Sequence, residues 1–165
     1  MTTGRKPPSS APAAGSGVVV SLLDRIGAWL ARFLSTESKG YQPYTPSDPE
    51  TLSATLRPGD IVLVEGNQRI SAAIKYLTQS TWSHATFYIG DALARHGEPG
   101  KVLIEVTVEQ GCVAVPLEKY RNYNTRICRP VGLTDAHREA AVALMVASNG
   151  LRYDMKNIIP LALYL

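Results

Sequence analysis

The stretch Trp82-Ser83-His84-Ala85-Thr86-Phe87-Tyr88-Ile89 decides how this chain folds. From His84 onward it alternates strictly, with Ala85, Phe87 and Ile89 on one face of a strand and His84, Thr86 and Tyr88 on the other. That is the two-residue period of a half-buried β-strand. The period recurs from Val102 to Val108, where Val102, Ile104, Val106 and Val108 are set toward a core and Leu103, Glu105 and Thr107 face the opposite way. The intervening loop, Gly90 to Gly100, is long enough to return the second strand antiparallel beside the first.

Upstream, Arg57-Pro58-Gly59-Asp60 reads as a turn, and Ile61-Val62-Leu63-Val64 as an apolar strand buried on both faces. Gly66-Asn67 ends that strand, and Asn67 is expected to cap a short helix whose Ile70, Ala73, Ile74 and Leu77 share a face. A polar loop from Thr78 to Ser83 follows. Downstream, Gln110-Gly111 predicts a hairpin into Cys112 to Val115, Arg126-Ile127-Cys128 a fifth strand, and Thr134 a cap on a helix ending at Asn149, where Gly150 stops it. Antiparallel strands in succession with helices at their ends predict an α+β class, an antiparallel sheet with flanking helices. No internal repeat is visible.

Outside this region the composition shifts. Residues 1–17, rich in Pro, Ser, Ala and Gly, read as a disordered tail, and residues 37–55, with Pro43, Pro46 and Pro49, as an extended linker. The folded domain is expected over 56–165. Residues 18–36 read as an amphipathic helix. At about 100° per residue, Ser21, Asp24, Arg25, Ala28, Arg32 and Ser35 fall in a narrow arc, and Leu22, Ile26, Trp29 and Phe33 lie in the wide apolar remainder. Two readings of 18–35 stand: a helix in a membrane interface, or one docked on the domain's own core or a second subunit. The apolar run is broken by Asp24 and Arg25 and falls short of the roughly 20 residues that span a bilayer. Arg5 and Lys6 are followed by Pro7, Pro8, Ser9 and Ser10 rather than by a secretory apolar core. These features point to a cytoplasmic protein, peripheral at the inner membrane surface if the membrane reading of 18–35 holds.

The formal charge is +3 with the basic residues scattered, so a nucleic-acid partner is not expected. Two cysteines cannot make a disulfide framework, and a reduced compartment is the default. His84, His96 and His137 are too far apart in sequence to suggest metal ligation, and no metal or cofactor is expected.

His84 stands where a polar loop meets a strand, the kind of position at which a rigid sheet holds a catalytic side chain. Glu105 falls on the corresponding face of the next strand, where a carboxylate can accept the imidazole N–H and fix its tautomer. The bland alternative is a strand-end histidine bonded to backbone, with Glu105 facing water.

Several blocks together resemble a known family: Arg57 to Val64, then Ile74-Lys75-Tyr76-Leu77-Thr78-Gln79-Ser80-Thr81-Trp82-Ser83-His84-Ala85, Tyr88-Ile89-Gly90-Asp91, Ile104-Glu105, Gly111-Cys112-Val113, Pro116-Leu117, and Gly150 to Asp154. The family is that of the bacterial permuted papain-like hydrolases of the NlpC superfamily, relatives of the lecithin:retinol acyltransferase fold. The resemblance covers about residues 56–156 and implies a cysteine hydrolase that cleaves amide or ester bonds through an acyl-enzyme. It assigns His84 as base and Glu105 as the residue that orients it. Trp82, Ser83 and Tyr88 become candidates for the substrate groove, and the substrate is a lipid-linked acyl group or a cell-wall peptide. In the family the nucleophilic cysteine follows the Tyr-Asp motif, here Tyr153-Asp154, after a further segment. The sequence stops inside an apolar segment, Ile158 to Leu165, which on this reading belongs to a longer chain whose nucleophile lies beyond residue 165. A two-residue hairpin at Gln110-Gly111 would put Cys112 on the face of Glu105, making it an alternative nucleophile. The alternative to catalysis is a non-catalytic, membrane-proximal binding module with the same fold.

Overall fold

The computed structural model describes Trp29, Thr36 and residues 46–107 and 109–152. The expected tail, almost all of the 18–36 helix and the segment from Ile158 lie outside the described residues. Trp29 is helical and 64% exposed, and the Thr36 carbonyl accepts a hydrogen bond from the Arg69 N–H at 3.1 Å. Among the described residues no helix is long and apolar enough to cross a membrane.

The class is α+β. Five antiparallel strands, β1 (Ile61–Val64), β2 (His84–Tyr88), β3 (Lys101–Thr107), β4 (Gly111–Pro116) and β5 (Thr125–Cys128), form one sheet in the order β4-β3-β2-β1-β5. The first four make a meander, and β5 crosses back to pair with the free edge of β1. Helices α1 (Pro49–Thr55), α2 (Arg69–Thr78) and α3 (Asp135–Ser148) flank the sheet, with 3₁₀ segments at Gly90–His96 and Leu117–Tyr120. The Arg57–Asp60 turn forms as expected, closed by the Asp60 N–H to the Arg57 carbonyl at 2.9 Å. Asp60 is buried there, accepting from the Arg57 N–H and from two Arg129 nitrogens at 2.8–2.9 Å. Burial pushes its carboxyl up, but these bonds and the arginine charge outweigh burial and hold it below the usual aspartate range.

Cross-strand partners point the same way, so the register sorts the side chains. Val62, Val64, His84, Thr86, Leu103 and Glu105 share one face, through the pairs Val62–Thr86, Val64–His84 and Thr86–Glu105. Over this face lie Leu52 in the middle of α1, Leu56 just beyond its end, and Leu117 and Tyr120 of the second 3₁₀ segment. The other face carries Ile89, Ile104, Cys112 and Ala114 under Leu93 and the α3 residues Val142, Met145 and Val146.

The sheet therefore departs from the expectation of one core face and one open face. Leu103 and Glu105, placed opposite the core by parity alone, are 0% and 1% exposed, whereas Val106 is 44% exposed. Alternation fixes which side chains share a face, and the elements packed on top decide which faces are dry. For the same reason β1 is not fully buried on both faces. Val62 and Val64 are buried, while Ile61 and Leu63 are only half covered.

Two local expectations also change. The supposed linker ends in a helix: Asp48 caps α1 by accepting the Thr51 N–H at 3.0 Å, and Pro49 occupies the first turn, where its missing N–H costs nothing. Asn67 does not cap α2. Gln68 holds that position without a side-chain bond, and Asn67 instead accepts from the Tyr123 hydroxyl at 3.3 Å. Thr134 does cap α3, through the His137 N–H at 3.2 Å.

The β4 edge is paired along much of its length, and the β5 edge at its first residue. Along β4, Ala114 N–H donates to Asn149 Oδ1 at 3.1 Å, Cys112 N–H to the Leu151 carbonyl at 2.8 Å, and Gly150 N–H to the Cys112 carbonyl at 2.8 Å. Along β5, the Ser47 hydroxyl bonds the Thr125 backbone and hydroxyl. Such pairing removes the exposed ladder that would template aggregation. Gly111 makes the β4 seal possible. A Cβ there would sit 2.2 Å from the Leu151 carbonyl oxygen, and φ is +74°. Gly111→Ala is expected to cost about 2 kcal/mol or more in chemical denaturation, because both the backbone strain and the backbone clash oppose it. A cost below ~0.5 kcal/mol would show that the seal yields freely.

Candidate active site

His84 begins β2 because the polar loop before it is anchored to the end of β1. The Ser83 N–H donates to the Val64 carbonyl at 3.1 Å, and the Ser83 hydroxyl accepts the Gly66 N–H at 3.0 Å. Gly66 is needed at that junction, since a Cβ would lie 2.4 Å from Ser71 Oγ and 2.8 Å from Ser83 Oγ. The ring that emerges is 29% exposed, and its Nε2 lies 3.1 Å from Glu105 Oε2. The two side chains thus share a sheet face at hydrogen-bond distance, as strand parity predicts, and Glu105 does not face water.

Sequence reading missed two partners of that carboxylate. Pro116 turns the chain out of β4 into the 3₁₀ segment, whose three-residue repeat sets Leu117 and Tyr120 on one side, both buried. Tyr120 OH donates to Glu105 Oε2, and Lys119 Nζ contacts Glu105 Oε1. Burial is the largest single influence on Glu105 and pushes its carboxyl up. The hydrogen bonds from His84, Lys119 and Tyr120, with the Lys119 charge, outweigh it and hold Glu105 at about 2. Tyr120 moves the other way, its hydroxyl pushed far up by burial and by its bond to Glu105. The only hint in sequence was the apolar i, i+3 spacing of Leu117 and Tyr120 after a proline. Nothing there marked Lys119 as facing inward.

An ionised carboxylate only accepts hydrogen bonds, so Nε2 is the nitrogen that donates to Glu105 and Nδ1 is directed away from it. Beside it, Thr86 Oγ1 is buried without a hydrogen-bond partner among the described residues. Thr86→Val keeps the shape and removes an unsatisfied hydroxyl, and is expected to raise stability by about 1 kcal/mol in urea unfolding. A loss of stability would mean that the hydroxyl is bonded after all.

The remaining site expectations fare unevenly. Trp82 is half-buried two residues before His84, its backbone N–H donating to Ser80 Oγ at 3.1 Å. Ser83 holds the Gly66 backbone instead of lining a groove. Tyr88 sits four residues along β2 from His84, about 13 Å away, and borders a separate open depression with Pro49, Asp91, Val102 and Glu118. Tyr88 thus stands at the far end of β2 from Trp82 and Ser83.

Cys112 is a plain correction. Glu105 pairs with Val113 and Val106 with Cys112, so the thiol is on the face opposite Glu105. Thr107 pairs with Gly111 across three intervening residues, not two, and that odd count reverses the parity. Burial also raises the Cys112 thiol above its usual range, the reverse of what a nucleophile requires. Cys128 pairs with Ile61, which pairs with Phe87, and so it also lies on the face away from His84. Among the described residues no group of three or more His, Cys, Asp or Glu side chains is arranged to hold a metal ion. No protein-family model matches this chain, and a search of curated proteins finds no match either.

Proposed function

We propose that this domain supplies the base half of a papain-like thiol hydrolase that cleaves an ester or amide bond through an acyl-enzyme. The observation that carries the reading is the 3.1 Å contact between His84 Nε2 and a buried, ionised Glu105. A solvent-facing structural histidine has no need of such a partner, and a general base needs its tautomer fixed in this way. The resemblance carried by Trp82-Ser83-His84-Ala85 and Ile104-Glu105 gives the same two residues the same roles.

In the proposed reaction His84 Nδ1 takes the proton of a thiol, and the thiolate attacks the acyl carbon. The tetrahedral intermediate expels the alcohol or amine, protonated by the imidazolium, and leaves a thioester. Water, activated by the same imidazole, then releases the acid and regenerates the thiol. Glu105 stabilises the imidazolium in both steps. Cys112 and Cys128 both lie on the sheet face away from His84, and the thiol in this proposal is the one the resemblance implies outside residues 1–165. Lipid-linked acyl groups and cell-wall peptides are the substrate classes, and contact of residues 18–35 with the inner membrane surface would favour the former.

The test uses the full-length native polypeptide, any residues following Leu165 included. It is expected to hydrolyse a chromogenic short-chain ester and to lose that activity on iodoacetamide treatment. Residues 1–165 alone are expected to show no thiol-dependent turnover. Absence of turnover from the full-length polypeptide on esters and amides alike would favour a binding module over an enzyme.

A further inference from the structure

We propose that Lys119 is a positioning residue of this site: it is the resident counter-ion of Glu105, so that the carboxylate orients His84 without drawing a proton onto it. The inference rests on reading His84 as a base and concerns what keeps that base free to act.

A buried carboxylate takes either a proton or a cation from its surroundings. Glu105 is 1% exposed, and two nitrogen groups touch it on different oxygens. Lys119 meets Oε1, while His84 shares Oε2 with the Tyr120 hydroxyl. An alkylammonium is by its chemistry a standing cation, whereas an imidazole is the side chain that exchanges protons in catalysis. Lys119 is held in place a second time, its Nζ 5.5 Å from the centroid of the Tyr120 ring. With one oxygen neutralised by Lys119, His84 faces a compensated pair instead of a bare anion, and the hydrogen bond can be kept without the ion pair. A base must be unprotonated to work near neutral pH, and an unrelieved buried carboxylate would hold it protonated.

The other ionisable groups on the neighbouring elements do not supply this balance. Tyr120 and Tyr123 from the 3₁₀ segment and its exit are phenols, with ring centroids 5.6 Å apart. Glu65, just past the end of β1, and Lys75 on α2 neutralise each other at 3.4 Å. Arg126 pairs with Leu63 and so points from the opposite face. Lys119 is the cation in contact with Glu105.

The test is an NMR titration of the imidazole resonances of the 165-residue chain, with exposed His96 and His137 as internal references. Lys119→Met is expected to raise the midpoint of His84 protonation by about one pH unit, tenfold in proton affinity, allowing for the partial exposure of the ammonium. Lys119→Arg, which keeps the charge, should restore the midpoint to within about 0.3 of the native one. Glu105→Gln leaves the Lys119 charge uncompensated and should move the midpoint down, which keeps the inference open to refutation if Lys119→Met does not fold. In the full-length polypeptide the acidic limb of kcat/KM should rise together with the midpoint in Lys119→Met. An unmoved His84 midpoint in folded Lys119→Met, or an unmoved midpoint in Glu105→Gln, overturns the inference. A moved midpoint in a polypeptide that turns over no ester or amide upholds the charge balance and removes the proposed hydrolysis.

Discussion

In the full-length polypeptide, His84→Ala is expected to lower kcat/KM for ester hydrolysis by about four orders of magnitude, the usual cost of removing the base from a nucleophile–base–carboxylate set. His84 is the only imidazole in contact with Glu105, and its partly exposed ring needs little repacking on truncation. Glu105→Gln should cost less, because an amide can still accept the Nε2 proton while losing the charge that stabilises the imidazolium. Steady-state hydrolysis with and without iodoacetamide separates the outcomes. Turnover that ignores His84→Ala removes the papain-like mechanism. Thiol-sensitive turnover by residues 1–165, abolished by Cys112→Ser, would show that the thiol on the far sheet face can reach the substrate, and would overturn the face assignment made above.

The second large effect is on stability in acid. Glu105 is held at about 2 in the folded protein, against an ordinary glutamate value of about 4.3. A depressed folded-state value means that the unfolded chain binds the proton first. The contribution of Glu105 is therefore complete above about pH 4.3 and disappears as the pH falls through about 2. Its size is on the order of 3 kcal/mol, a large part of the stability of a small domain. Asp60, also buried and held below its usual range, loses its contribution in the same direction. The share of Glu105 is therefore read as the difference between the native chain and Glu105→Gln in urea unfolding at pH 6 and pH 2.5. The native chain should lose about 2 kcal/mol more than the variant over that interval, since the loss is complete only below pH 2, and equal losses would mean that Lys119, Tyr120 and His84 do not hold the carboxylate ionised.

Much of this site could be read in the sequence, for a definite reason. Strand parity is a property of the chain alone, so His84 and Glu105 could be put on one face once β2 and β3 were taken as neighbours. Parity across a hairpin depends on the number of residues in the turn, and Gln110-Gly111 suggested two where the chain uses three. That single residue moved Cys112 to the other face. What covers a face is harder to read, because it depends on elements remote in sequence. The Leu117–Tyr120 segment offered only the i, i+3 spacing of its two apolar residues after Pro116, and nothing in the sequence ties Lys119 to Glu105. The α1 helix, by contrast, was visible and missed: Asp48-Pro49-Glu50 is a helix start, with a capping carboxylate, a proline in the first turn and an acidic residue at the positive end of the helix dipole. Reading Pro49 as a breaker left the roof of the His84 face unassigned and made the carboxylate appear exposed.

The seal along β4 also sets a distance. Asn149 lies beside Ala114 and Leu151 beside Cys112, so the backbone runs along that edge toward Gly111, the end of the sheet from which His84 projects. Arg152 thus stands about three strand spacings, roughly 14 Å, from the β2 terminus, a gap that about five extended residues can cross. Arg152 therefore marks how near to His84 the described backbone of this edge comes, and any group meeting the imidazole from that side has this gap to cross.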